Sequence, residues 1–68
     1  MTEQEEQELQ RALAQLKEEH RDLDSAIVAL EATANPDHLQ IKRLKKRKLY
    51  LRDRIKEIDD LLFPDIIA

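Results

Sequence analysis

One apolar spacing, held on both sides of a single break, limits this chain to very few folds. Leu9, Leu13, Leu16, His20, Leu23, Ile27, Leu30 and Ala34 follow one another by steps of four and three. Ile41, Leu44, Lys48, Leu51, Ile55, Ile58 and Leu62 repeat the pattern further on. Such steps place side chains on one stripe of an α-helix. The break between the two stripes is Asn35-Pro36-Asp37. Pro36 disfavours helical angles at Asn35, Asn is a good N-cap, and Pro fits the first helical position. Asp37 suits the positive end of a new helix dipole. At the other end, Thr2 followed by Glu5 has the spacing of a capping box. The pattern therefore predicts helices over about residues 3–33 and 36–62, with Asn35 as the second cap. A connection so short forces them antiparallel.

Composition agrees. The chain has no Gly, no Cys and two Pro, with 40% charged and 41% hydrophobic residues. Without Gly there are few ways to turn a hairpin of strands, whereas this balance suits long amphipathic helices. The absence of Cys excludes disulfides and thiolate metal sites and suits the cytoplasm. The acidic start, MTEQEEQELQ, is unlike a secretory signal, and the apolar runs are too short to span a membrane. A soluble cytoplasmic protein is the expectation.

Charge is unevenly divided. Residues 1–34 carry nine acids and three bases, and residues 35–68 carry nine bases and six acids, so the halves are net −6 and +3. Folded as a hairpin, the halves attract each other. With the fold centred on the turn, residues whose numbers sum to about 71 lie level. Leu16 then meets Ile55, and the polar interruptions His20 and Lys48 fall within one turn of each other. This register also sets Asp24 beside Lys45 and Glu19 beside Arg54, and brings Lys17 near Arg52 as a like-charge mismatch. Pro64 ends the second helix near Leu62, and Leu62 with Phe63 should cover the seam at Leu9. Residues 63–68 form an apolar tail after the hairpin of residues 1–62.

Two linked motifs resemble the YdcH-like family of small bacterial proteins. The first is His20-Arg21-Asp22-Leu23-Asp24-Ser25-Ala26-Ile27. The second is Leu44-Lys45-Lys46-Arg47-Lys48-Leu49-Tyr50-Leu51-Arg52-Asp53-Arg54-Ile55, in which Arg52 replaces the family's usual Lys. The likeness runs over roughly residues 9 to 62 and implies a helical hairpin. It implies no activity, because the family's function is unknown.

Several functional classes can be weighed on the residues themselves. His20, Asp24 and Lys48 form a polar layer in the seam, expected to fix register, with Asp24 bonding Lys48 or His20. Two helices enclose no pocket, so no catalytic residues are assigned and an enzyme is not expected. His20 and His38 lie on different helices, and no ligand spacing for a metal or cofactor occurs. Lys42, Arg43, Lys46 and Arg47 belong to a basic run that could meet nucleic-acid phosphates. Against that, the acids of the first helix adjoin the run, and Tyr50 is its one aromatic. Leu39, Leu49, Tyr50, Ile66 and Ile67 are apolar residues outside the seam and make a candidate interaction surface. A two-helix core barely offsets about 1.5 kcal/mol of ordering per residue, so self-association into a four-helix bundle is expected. The favoured reading is a non-catalytic interaction or assembly module, as a homo-oligomer or on a larger partner. A nucleic-acid-associated protein is the alternative.

Overall fold

The computed structural model describes residues 1–64. It is an antiparallel hairpin of two helices, α1 over Glu3–Glu31 and α2 over His38–Leu62. α1 begins where the Thr2–Glu5 spacing places it. The Thr2 hydroxyl accepts from the Glu5 amide at 3.2 Å and donates to the Glu5 carboxylate at 3.0 Å. Glu3, Glu5 and Glu6 sit in that first turn, where the helix dipole favours negative charge.

The turn differs from the sequence expectation. α1 stops at Glu31, and the Thr33 hydroxyl donates to the last-turn carbonyl of Leu30 at 2.8 Å. The cap of α2 is Asp37, not Asn35, and Pro36 precedes the helix instead of opening it. An Asp37 carboxylate oxygen accepts from the Gln40 amide at 3.1 Å, and its carbonyl accepts from Ile41 at 3.0 Å. Both Asn35 and Asp37 are capping residue types. Asp37 carries the charge that the helix N-terminus prefers, and Pro36 holds the chain extended just ahead of it. No described residue has a positive φ, so residues 32–37 reverse the chain without a left-handed step.

The core is a single seam. Leu13, Ile27, Ile41, Leu51 and Ile58 are buried, and Leu51 is 0% exposed. Leu9, Leu16, His20, Leu23, Leu30, Leu44, Lys48, Ile55 and Leu62 are half-buried along the same line. Ala34 is exposed because α1 has already ended. At the open end Leu62 is half-buried, but Phe63 is 64% exposed and does not cover the seam. Phe63 instead closes α2 through its amide, which donates to the Asp59 carbonyl at 2.7 Å. The molecule measures 50 × 27 × 15 Å with a radius of gyration of 15.6 Å. A compact chain of this length would have about 11 Å. The hairpin is a thin slab with one layer of side chains between its helices.

Candidate functional site

The slab has two broad sides, each an open groove between α1 and α2. Neighbouring residues on a helix point about 100° apart, so the grooves draw on different positions. One groove is lined by His20, Asp24 and Val28 of α1 and by Lys45, Lys48, Leu49 and Arg52 of α2. The other is lined by Ala12, Leu16 and Glu19 of α1 and by Arg47, Tyr50 and Arg54 of α2. An extension of the second groove is lined by Glu19, Asp22, Leu23, Ala26 and Arg47.

The polar seam layer assembles on the first side. The Lys48 ammonium donates to an Asp24 carboxylate oxygen at 2.5 Å, bridging the helices. That bond, with the charge behind it, holds the Asp24 carboxyl below its ordinary value, and the charge of the nearby His20 ring acts the same way. His20 lines the same groove. Of the two expected partners for Asp24, Lys48 is the one that bonds it.

The remaining ion pairs correct the level-by-level expectation. Lys45 reaches Glu31 at 3.6 Å rather than Asp24, and Glu19 meets Arg47 at 3.9 Å rather than Arg54. Arg54 turns back to Glu57 on its own helix at 2.6 Å. Arg52 lies 3.7 Å from its neighbour Asp53. Long flexible side chains reach a turn or more along the seam, so the level of the backbone does not choose the partner. The Arg47 guanidinium also sits 5.3 Å from the centre of the Tyr50 ring, at stacking distance.

The candidate apolar surface does not form one patch. Leu49 belongs to the first groove and Tyr50 to the second, 47% and 53% exposed. Leu39 is 59% exposed in the first turn of α2. Ile66 and Ile67 lie outside the described residues. The basic residues Lys42, Arg43, Lys46 and Arg47 are all exposed. Leu16 and Leu23 are seam residues, half-buried as expected, and they also line the second side. Ala12 and Ala26 lie beside them on the same side.

Among the described residues, no three His, Cys, Asp or Glu side chains converge as a metal site. No helix among them is long and apolar enough to cross a membrane. Chemically, the arrangement offers inter-helix ion pairs and open apolar edges.

These features define the class of the protein: a small two-helix hairpin with a charged clasp across its seam. Residues 13–59 match the family described as Protein of unknown function (DUF465), and the chain belongs to that family. The YdcH-like proteins are members of the same family, so the resemblance carried by the two motifs is correct. No curated protein and no solved structure matches the chain significantly.

Proposed function

We propose that this protein is a non-catalytic interaction and assembly module, whose hairpin is completed by pairing with itself or with a larger protein. The observation that carries this reading is how little the hairpin covers. Only five described side chains are buried, while seven further seam leucines and isoleucines stay half-exposed. The accessible surface is 5746 Å². A compact monomer of 8.0 kDa would expose about 4,450 Å². Apolar surface left at the edge of a core is stabilised by covering it. Among the described residues both grooves are open to solvent. A cytoplasmic location fits the reading.

The test is affinity capture from cells of the source organism, run beside light scattering of the purified chain. Association with itself or with a captured protein is expected, and charged substitutions along the half-buried seam edge should abolish it. A chain that stays monomeric and captures nothing overturns the proposal.

One observation favours nucleic acid as a second reading. Lys42, Arg43 and Lys46 are exposed and have no ion-pair partner among the described residues. Their neighbours Lys45, Arg47 and Lys48 are each engaged by an acid of α1, which weakens the case for a phosphate-binding surface. Binding to duplex DNA that falls steeply with salt would support this reading. Binding that is absent at low salt excludes it.

A further inference from the structure

One edge of α1 reads the same in both directions. Leu9, Ala12, Leu16, Glu19, Leu23, Ala26 and Leu30 follow steps of three and four, a heptad stripe that is palindromic about Glu19. In the hairpin Ala26 is exposed and the other six are half-buried, whereas the adjoining Leu13 and Ile27 are buried. Any two-helix contact leaves half-buried edges, so the informative comparison is with the opposite edge of the same helix. There Gln10, Lys17, Asp24 and Glu31 recur at the same seven-residue spacing, and all are polar and exposed. That edge carries solvent-seeking groups at every heptad step, with exposed Val28 next to Asp24 and Glu31. The other presents leucines separated by alanines.

A two-fold interface places a surface against a reversed copy of itself, so it must be self-complementary. A palindromic stripe meets that requirement on an antiparallel helix. Residues whose numbers sum to about 38 come level, which sets Leu9 by Leu30, Leu16 by Leu23 and Ala12 by Ala26 of the other copy. The alanines let the two backbones approach closely. Glu19, at the centre, would be doubled by the symmetry, but it has the Arg47 guanidinium 3.9 Å away. The surface exposed beyond that of a compact monomer, about 1,300 Å², exceeds the roughly 800 Å² per partner that a standard interface buries.

We propose that this stripe is where a second copy of the chain docks, α1 against α1 and antiparallel, about a two-fold axis beside Glu19. The result is a four-helix bundle in which the Asp24–Lys48 side faces solvent. The inference rests on the assembly reading above and specifies its partner and surface.

The chain has no Cys, so cysteine cross-linking of the full-length protein is a clean test. Chains carrying A12C and A26C are mixed and mildly oxidised. A cross-linked species of twice 8.0 kDa is expected from the mixture, and not from either chain alone. In the proposed register two copies of residue 12 lie about 20 Å apart, far beyond disulfide reach. Light scattering of the unmodified chain should give twice the monomer mass, falling two-fold in A26R with helical circular dichroism retained. Cross-linking within A12C alone would show a parallel pair and overturn the antiparallel arrangement. A monomeric mass at every concentration, with no cross-link, overturns the second copy as occupant. In that event, capture of another protein from cells, lost in A26R, would leave the broader assembly reading standing. If A26R loses its helices, the milder A12C and A26C pair decides the matter.

Discussion

The two edges of α1 flank the same seam and share one heptad repeat, yet they are built from different chemistry. Along one run Gln10, Lys17, Asp24 and Glu31, all exposed, with Asp24 and Glu31 reaching across to Lys48 and Lys45. Along the other run Ala12, Leu16, Leu23 and Ala26, with Glu19 paired to Arg47 and Asp22 beside it. The difference shows that a hairpin seam does not exhaust the amphipathic surface of its helices. Exposed ion pairs at an edge contribute little stability and fix which residues face each other. Apolar residues at an edge contribute in proportion to what covers them.

The comparison can be broken from the middle outward. Leu51 is the most deeply buried side chain of the seam and lines the apolar side. Leu51→Ala should cost about 2–5 kcal/mol in chemical denaturation, a large share of what a domain this small possesses. A loss under about 1 kcal/mol would show that the seam is loosely packed and that edge chemistry means little. On the apolar edge, Leu23→Ala should cost about 1–2 kcal/mol, more at high protein concentration than at low. Lys17→Ala on the polar edge should stay within about 0.5 kcal/mol. Equal effects of these two substitutions, independent of concentration, would erase the distinction between the edges.

Lys48→Leu would make the polar edge resemble the other. Its melting temperature should rise or stay within about 4 °C of the parent, while light scattering shows association spreading to larger, mixed species. A fall of many degrees with unchanged mass would mean that the hairpin depends on the Asp24–Lys48 clasp. The smallest effect concerns acid. The folded Asp24 carboxyl titrates below its ordinary value because of Lys48. Its contribution is therefore present above the unfolded Asp value and disappears as pH falls through the lower, folded one. The gap in melting temperature between the parent and Asp24→Asn should be small near neutrality and should close in strong acid. A gap that widens on acidification would contradict the assigned cause.

Much of this fold is legible in the residues, because heptad spacing depends only on helix geometry. Every predicted seam position from Leu9 to Leu30 and from Ile41 to Leu62 is buried or half-buried. The turn was less legible. Asn35 and Asp37 are both good caps flanking one Pro, and choosing between them depends on where the last carbonyls of α1 are satisfied, which Thr33 decides. The ion pairs were least legible, since Lys45, Arg47 and Arg54 each have several acids within reach. The spacing alone offers Lys48, His20 and Lys45 as partners for Asp24, and only Lys48, at the polar gap of the second stripe, bonds it. The apolar edge was visible in the letters, but a stripe becomes an edge only once burial shows which leucines α2 leaves uncovered.

The hairpin also separates charge along its 50 Å length. Its open end, residues 1–12 and 53–64, carries eight acids and three bases, while residues 13–52 carry six acids and nine bases. A rod charged in this way has a dipole moment along its axis, so two such rods attract side by side when they point in opposite directions and repel when they point the same way. The field extends about 10 Å at moderate ionic strength and farther in dilute buffer. Any encounter between copies would therefore favour the antiparallel orientation at long range, and added salt would slow the approach without altering the shape of either surface.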